Sequence, residues 1–208
     1  MIKFFQAIFL LVTVLFVLTG CGSTDSKPVE TNSKPVEAYK DEIQQYTAKI
    51  NENPADAESY LNRGIAYAAL KEYKNAIPDF DKVIELDSNN YVAYNYRGKA
   101  YAFFLQFELA ATDYNKAIEL NPNYAEAYFN RGVAYRCLGQ YERAIQDYSK
   151  LIELNPNDDD AYNARGIAYF QLEKYELAMK DFNKALELNP KNENAIRNRG
   201  YCRKEMSK

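Results

Sequence analysis

One sequence pattern, Tyr-x-x-Arg-Gly-x-Ala-Tyr, recurs four times at a fixed spacing of 34 residues. The copies begin at Tyr60, Tyr94, Tyr128 and Tyr162. A fixed period of this length is typical of proteins in which each repeat is one supersecondary unit and successive units stack on each other. Because aromatic and small apolar residues lie three and four positions apart in every copy, the repeats are predicted to contain helices. The period therefore predicts an all-α array.

The second half of each copy predicts another helix and the place where it ends. An aromatic residue is followed three positions later by Ala and four positions after that by a second aromatic residue; the alanines are Ala76, Ala110, Ala144 and Ala178. Asn-Pro pairs occupy positions 121–122, 155–156 and 189–190. A residue before proline is pushed out of the α-helical region, so these pairs are predicted to end the second helices.

These motifs resemble the tetratricopeptide repeat (TPR) family, whose pattern has Gly in the first helix, Ala and an aromatic residue in the second helix, and Pro at the turn. The resemblance implies a right-handed superhelical solenoid of antiparallel helix pairs. The frame it gives is a capping helix at 38–56, repeats at 57–90, 91–124, 125–158 and 159–192, and a capping helix at 193–208. The chain departs from the family where Arg replaces the family's Leu before Gly in every copy.

Residues 1–20 are predicted to be a signal peptide. Lys3 is their single charged residue, and an apolar stretch covers residues 4–18. This stretch is shorter than the roughly 20 apolar residues that a membrane-spanning helix needs, and it matches the apolar region of a secretory signal. It ends in Leu18-Thr19-Gly20-Cys21, which resembles the bacterial lipobox. The resemblance implies cleavage before Cys21 and lipidation of its thiol; a short signal anchor with an ordinary thiol is the alternative.

Residues 21–37 are predicted to be a flexible linker that follows the lipidated cysteine. They are rich in Pro, Ser, Lys and Glu and repeat Ser-Lys-Pro-Val-Glu at 26–30 and 33–37. Such a composition is typical of semi-extended tethers. The lipobox resemblance implies a lipid-anchored protein of a bacterial membrane that faces the periplasm or the cell exterior. Gly22 and Ser23, in place of an Asp after the cysteine, favour the outer membrane if the organism is Gram-negative.

Arg and Asp recur in register with the repeats. The arginines are Arg63, Arg97, Arg131, Arg165 and Arg199, and the aspartates, each sixteen positions after an arginine, are Asp79, Asp113, Asp147 and Asp181. We interpret them as structural ion pairs, since Arg binds carboxylates through two parallel hydrogen bonds. Pairing within a repeat would leave Arg199 without a carboxylate, whereas pairing with the previous repeat would place Gln45 opposite Arg63. The position of Arg199 beyond the last Asp favours pairing between repeats, and both schemes stay open here.

The TPR resemblance also implies a concave binding groove that is lined by the first helices. The predicted lining residues are Leu61, Ile65, Asn95, Lys99, Phe103, Phe129, Val133, Arg136, Asn163, Ile167, Phe170, Arg197 and Tyr201. A row of exposed apolar and aromatic side chains indicates a surface that another molecule covers. The expected anchors for a partner's helix or extended segment are Phe103, Phe129, Phe170 and Tyr201. Coverage of the groove by the chain's own N-terminal helix is the alternative.

Some TPR proteins bind the acidic C-terminus of chaperones through a carboxylate clamp of Lys, Asn and Arg. The matching positions in this chain are Leu61, Ile65, Tyr96, Glu126 and Asn130. The expected Lys and Arg residues are missing, so the resemblance does not extend to that type of partner.

The composition argues against several other kinds of site. The chain has no His, which excludes His-based catalytic triads and His metal ligands. Its net charge of −3 argues against nucleic-acid binding, which needs clustered cations. The run Asp158-Asp159-Asp160 lacks the spaced ligands of a calcium loop and is interpreted as the start of a helix. Free thiols are expected at Cys137 and Cys202, and Cys202 is expected to pack in the core.

The sequence therefore favours a membrane-anchored TPR lipoprotein that acts as an adaptor or scaffold in the bacterial cell envelope and binds protein or peptide partners. We expect no enzymatic activity, no metal or other cofactor and no small-molecule substrate, because no nucleophile–base pair, metal set or nucleotide-binding motif is present. The alternative is a structural protein whose exposed faces form interfaces between copies, giving a homo-oligomer.

Overall fold

The computed structural model describes residues 34–208, which form ten α-helices and no β-strand. The helices are α1 (Val36–Glu52), α2 (Ala57–Ala69), α3 (Tyr73–Leu86), α4 (Tyr91–Phe103), α5 (Phe107–Leu120), α6 (Ala125–Cys137), α7 (Tyr141–Leu154), α8 (Asp159–Gln171), α9 (Tyr175–Leu188) and α10 (Glu193–Met206). The prediction of an all-α chain is confirmed. The predicted signal peptide and Cys21 lie outside the described residues. Helix α1 begins two residues before the predicted capping helix, directly after Pro35.

The described chain divides into two compact units, residues 34–131 and 132–208. In the first unit, α2 packs on α3 and α4 packs on α5, and α1 packs on α2. In the second unit, α8 packs on α9 and α10 packs on α9. Each unit is therefore built from helix pairs that follow each other in the chain.

Asn and Asp side chains cap the starts of four helices: Asp56 for α2, Asn90 for α4, Asp158 for α8 and Asn192 for α10. Each accepts a hydrogen bond from a backbone N–H of the first turn, which would otherwise lack a partner within the helix. Asp158 Oδ1 accepts from the N–H groups of Asp160 and Ala161, at 3.1 Å each. The interpretation of the acidic run as a helix start is confirmed at Asp158.

A left-handed residue joins the two helices of each repeat. Lys71, Leu105, Gly139 and Glu173 have φ of 60°, 60°, 73° and 58°, and they follow each other at the 34-residue period. Glycine adopts this conformation without steric cost, whereas other residues pay about 1–2 kcal/mol. The chain therefore accepts backbone strain at three of these turns.

Glycine in the first helix lets an aromatic ring of the second helix approach the backbone. A Cβ added to Gly64 would lie 2.7 Å from Phe80 Cε1, and one added to Gly98 would lie 2.7 Å from Tyr114 Cε1. The same relationship joins Gly166 to Phe182 in the second unit. The rings of Phe80, Tyr114 and Phe182 are almost fully buried. The two helices of each of these pairs therefore approach each other closely at the Gly–ring contact, as the small residues predicted.

Three of the periodic arginines bind the aspartate of their own repeat. Arg97 donates from Nε to Asp113 Oδ2 at 2.8 Å and from Nη2 to Asp113 Oδ1 at 2.7 Å. The Arg63–Asp79 and Arg165–Asp181 pairs have the same geometry. The preference for pairing with the aspartate of the previous repeat was therefore wrong for these three arginines.

The Nη1 group of each periodic arginine donates a hydrogen bond to the second helix of the previous repeat. Its partner there lies two positions after the place of the periodic aspartate. Nη1 of Arg97 donates to Asp81 Oδ1 at 2.7 Å, and Nη1 of Arg63 donates to Thr47 Oγ1 at 3.1 Å. The equivalent contacts are Arg131 to Asn115, Arg165 to Ser149 and Arg199 to Asn183. Sequence spacing missed this second partner because its side-chain type differs from repeat to repeat. Arg63, Arg97 and Arg165 thus each join three helices.

The thiols differ in their surroundings. Cys202 is free and buried, and it packs in the second unit against Ile167 and Phe182, as predicted. Cys137 is disulfide-bonded, so the expectation of a free thiol there was wrong.

Candidate protein-interaction face

The predicted groove residues lie on first helices, and we call the surface that they form within each unit the first-helix face. In residues 34–131 they are Leu61 and Ile65 on α2, Asn95, Lys99 and Phe103 on α4, and Phe129 on α6. Phe103 is 45% exposed, whereas Asn95 is fully buried and the others are half-buried. Phe103 is therefore the apolar side chain that this part of the face offers most openly.

A chain of hydrogen bonds crosses the first-helix face of this unit. Asn130 Nδ2 donates to Asn95 Oδ1 at 3.1 Å, and Asn95 Nδ2 donates to the hydroxyl of Tyr124 at 3.1 Å. The Tyr124 hydroxyl donates to Glu126 Oε2 at 2.9 Å, and Lys99 Nζ donates to Glu126 Oε1 at 3.0 Å. Asn95 therefore holds α4 against α6 and the turn before it.

Lys99 and Glu126 stabilise each other's charged form in this network. Burial would lower the pKa of Lys99, but the charge of Glu126 and the hydrogen bond to it raise that pKa above its ordinary value. Burial would raise the pKa of Glu126, but Lys99 and the hydrogen bonds from Tyr124 and Asn95 lower it. Burial and the neighbouring Glu126 raise the pKa of Tyr124. The site therefore presents an ion pair and a neutral phenol at neutral pH.

Aromatic side chains adjoin this ion pair. The rings of Tyr73 and Phe103 lie 4.5 Å apart, and Phe103 meets Phe104 edge-on at 5.4 Å. The ammonium of Lys99 lies 4.7 Å from the centre of the Tyr96 ring. An exposed aromatic cluster beside a polar network can bind the apolar side chain of a peptide and also its backbone polar groups.

In residues 132–208 the predicted face residues are Val133 and Arg136 on α6, Asn163, Ile167 and Phe170 on α8, and Arg197 and Tyr201 on α10. Arg197 is exposed, and Val133, Phe170 and Tyr201 are half-buried. Arg136, Asn163 and Ile167 are buried. The ring of Phe170 lies 5.3 Å from that of Tyr175. The role of each of these residues in binding stays a prediction.

Two of the buried face residues hold neighbouring helices together. Asn198 Nδ2 donates to Asn163 Oδ1 at 2.9 Å, which joins α10 to α8. The Asn95–Asn130 contact of the first unit is its counterpart, with the same separation of 35 residues. Sequence reasoning assigned Asn95 and Asn163 to the groove and missed their partners. The signal was an Asn followed 35 positions later by another Asn, which occurs at both places.

The acidic run Asp158-Asp159-Asp160 hydrogen-bonds with groups of the chain itself. The carboxylates of Asp158, Asp159 and Asp160 lie within 4.8 Å of one another. Asp159 Oδ2 accepts hydrogen bonds at 2.8 Å from the side-chain amides of Asn189 and Asn192, so side chains of the chain itself satisfy it. Among the helices from residue 34 onward, none has the length and apolar character needed to cross a bilayer.

Two family models match the sequence. The model described as Tetratricopeptide repeat matches residues 57–90, 125–158 and 159–192, and the model described as TPR repeat matches residues 106–136. No curated protein matches the chain significantly.

Solved structures show the same fold. A crystal structure of MamA is 30% identical, with a TM-score of 0.71 over 74% of this chain and 91% of that chain. YrrB, described as a TPR protein with an unusual peptide-binding site, is 25% identical, with a TM-score of 0.70 over 78% of this chain and 84% of that chain. The first TPR of Spaghetti (RPAP3), bound to an HSP90 peptide, is 32% identical, with a TM-score of 0.55 over 56% of this chain and 93% of that chain. With its helix pairs, its Gly–ring contacts and these matches, the chain is an all-α TPR solenoid and belongs to the tetratricopeptide repeat family.

Proposed function

We propose that this protein is a membrane-tethered adaptor that binds a segment of a partner protein on its first-helix face. The observation that carries the proposal is the exposed ring of Phe103, which packs against Tyr73 beside the Lys99–Glu126 ion pair. Large aromatic side chains in partly enclosed positions contribute most of the binding free energy at many interfaces. The adjacent ion pair would fix the direction of the bound segment.

Two similar proteins support peptide binding. The description of YrrB names a peptide-binding site, and the RPAP3 structure holds a peptide of HSP90. That peptide, SRMEEVD, is acidic at its end. In this chain Lys99 is already paired with Glu126, and Leu61 and Ile65 replace the Lys residues expected of a carboxylate clamp. We therefore propose a partner segment with apolar or aromatic side chains, not an acidic C-terminus.

The tether is proposed from the sequence. Leu18-Thr19-Gly20-Cys21 matches the lipobox pattern, so Cys21 would carry the lipid and the polar residues after it would space the repeats from the bilayer. More than one acyl chain is needed for stable anchoring, since each buried CH₂ contributes about 0.8 kcal/mol. The protein would then face the periplasm or the cell exterior of a bacterium, at the outer membrane if the organism is Gram-negative.

The TPR fold is generally a scaffold for protein interaction and not an enzyme fold. We extend this to the present chain, which we propose has no catalytic activity, cofactor, small-molecule substrate or nucleic-acid partner. Its contribution to the cell would be to hold a partner at the membrane surface.

Photo-cross-linking of the full-length chain in cells tests the binding face. A benzophenone amino acid would replace Phe103 on α4 and, as a control, Glu119, an exposed residue on the second helix of the same repeat. We expect a partner protein to be cross-linked at position 103 and not at position 119. Equal cross-linking at both positions, or none at position 103, would contradict the proposed face.

The tether is tested separately by membrane fractionation and mass spectrometry. We expect the wild-type chain in the membrane fraction with an added lipid mass, and the Cys21→Ser variant without that mass. A Cys21 that carries the lipid cannot also form a disulfide with Cys137. The mass is therefore measured before and after thiol reduction, which breaks a disulfide but leaves a lipid thioether intact. A Cys21→Ser chain with unchanged mass and membrane association would contradict the lipid anchor but would leave the binding face untouched.

A further inference from the structure

Helix α10 has the glycine that contacts an aromatic ring in the other first helices, but no ring from the described residues packs on it. It has the Arg-Gly pair of the other first helices at Arg199 and Gly200. Nothing lies within 4 Å of a Cβ built on Gly200, whereas Gly64, Gly98 and Gly166 each meet an aromatic ring of a second helix at 2.7 Å. Gly200 and the neighbouring Arg203 are exposed. The surface of α10 around Gly200 therefore has the shape that receives a second helix.

Helix α1 has the complementary character of a second helix. Tyr46 lies one 34-residue period before Phe80, the ring that packs on Gly64. Thr47 of α1 accepts a hydrogen bond from Arg63. Other second helices accept the equivalent bond from the arginine of the following repeat. Helix α1 therefore packs on α2 as a second helix packs on the first helix of the next repeat. Other second helices also pack on the first helix of their own repeat, and in α1 the side opposite α2 is the side that would make this contact. Tyr46 is half-buried on this helix.

From these two surfaces we propose that α1 of a second copy docks on α10, so that the two helices complete one repeat and the copies associate head to tail. In the register of the other repeats, Tyr46 of the second copy would cover Gly200, as Phe80 covers Gly64. This inference goes beyond the proposed function, and neither one depends on the other.

The polar residues agree with this register. Arg199 uses Nη1 for its 3.3 Å hydrogen bond to Asn183, as the other arginines use Nη1 for the previous repeat. Their Nε and Nη2 atoms bind the aspartate that precedes the ring by one position, as in Arg63–Asp79. Position 45, immediately before Tyr46, holds Gln45, whose side-chain carbonyl can accept from the same edge of Arg199.

Charge complementarity selects a second copy as the occupant. In the 125–158 repeat, the guanidinium of Arg143 lies 3.9 Å from the centre of the Tyr135 ring, so these two positions face each other. By the 34-residue period, the equivalent of Arg143 in α1 is Asp41, and the equivalent of Tyr135 in α10 is Arg203. Docking would bring this exposed acid against this exposed base. Because the pair is rim-exposed, association should weaken as salt rises.

The contact is heterologous, since one copy contributes α10 and the other α1. A chain blocked at one end can therefore still use its other end. Gly200→Leu blocks α10 by filling the position of the ring, and it should not disturb folding because Gly200 has open space around it. Asp41→Arg blocks α1 by placing Arg against Arg203.

The experiment measures the protein mass of the full-length chain in detergent by light scattering after size exclusion, at rising protein concentration and at low and high salt. We expect wild type to form dimers and larger species at low salt, each blocked variant to stay monomeric, and an equimolar mixture of the two variants to stop at dimers. The Asp41→Arg/Arg203→Asp double variant should recover association, because the charge pair is restored in reverse.

The outcomes separate the proposal from other interfaces. A wild-type chain that is monomeric at every concentration would overturn it, as would oligomers that survive Gly200→Leu. A mixture that stays monomeric, or that grows beyond dimers, would overturn the head-to-tail arrangement. Circular dichroism and the thermal midpoint of Gly200→Leu show whether the loss of association comes from loss of folding. The cross-linking result at Phe103 is independent of all of these.

Discussion

Gly98 lies so close to Tyr114 that a Cβ on Gly98 would stand 2.7 Å from Cε1 of the ring. The ring of Tyr114 is 2% exposed and has little room to move away. We therefore expect Gly98→Ala to destabilise the chain by about 1–3 kcal/mol, the usual cost of overpacking a core. Urea denaturation measures this free energy of unfolding.

Gly200 supplies the matched control for that substitution. It occupies the equivalent position of α10, but a Cβ there meets nothing within 4 Å. Because Ala is favoured over Gly inside a helix by about 0.5–1 kcal/mol, Gly200→Ala should be neutral or stabilising at protein concentrations where the chain is monomeric. Equal losses at both positions would show that the cost at Gly98 comes from the backbone and not from the Tyr114 ring.

At the turns between the two helices of a repeat, adding a glycine should raise the stability and removing one should lower it. Leu105 has φ of 60° and is 63% exposed, so Leu105→Gly relieves strain and gives up little burial. Since a left-handed non-glycine residue costs about 1–2 kcal/mol and glycine loses part of this in chain entropy, we expect a gain of up to about 1 kcal/mol. Gly139→Ala, at φ of 73°, should lose about 1 kcal/mol. Thermal unfolding of both variants provides the comparison, and a destabilised Leu105→Gly would contradict the expected relief of backbone strain.

Removal of an arginine should cost more where it binds a buried aspartate. The side chains of Arg97 and Asp113 are 19% and 6% exposed. Arg97→Ala leaves the Asp113 charge buried without its partner, so we expect a loss of about 3–5 kcal/mol. The Arg97→Ala/Asp113→Ala double variant should lose less than the sum of the single variants, because neither charge is then left alone. Additive losses in denaturation would mean that the two side chains do not interact.

The Lys99–Glu126 pair predicts a pH dependence of stability. The pKa of Glu126 in the folded chain lies below its ordinary value of 4.5, so the unfolded chain binds the proton more tightly. The contribution of Glu126 is therefore present above about pH 5 and is lost as the pH falls through the folded-state pKa. The half-exposed position of the pair keeps the effect small.

Glu126→Gln should flatten the acid side of the stability curve relative to wild type. Glu119→Gln, at an exposed pair with Lys116 on α5, serves as the matched control for the loss of a surface carboxylate. Thermal midpoints between pH 3 and pH 7, about the range in which carboxylates titrate, provide the measurement. A Glu126→Gln curve parallel to that of wild type would contradict the shift.

The sequence predicted the features that depend on periodicity and on residue size. The spacing from Tyr60 to Tyr162 gave the all-α repeats, and Gly98 and Ala110 marked a helix crossing that the structure contains. Both follow from local rules, since a helix places residues three and four positions apart on one face.

The partners of polar side chains were harder to predict. The 34-residue period places Arg97 equally well beside its own repeat or the previous one, and only the packed helices show that it binds both, at Asp113 and Asp81. Asn95 was assigned to an open groove because its position matches groove residues of the family. Its burial depends on Asn130 and Tyr124, which lie 35 and 29 residues away. One sequence gives the face on which a side chain lies, but not which of several nearby groups it contacts.

The second helix α3 carries Asp79 for the arginine before it and Asp81 for the arginine after it. Other second helices also offer an acceptor at the second of these positions, although it is Thr, Asn or Ser instead of Asp. Recombination that adds or removes one whole 34-residue block therefore keeps these positions in register, whereas an insertion of another length shifts them. The number of repeats can therefore change by one whole repeat at a time while neighbouring helices keep the same contact positions.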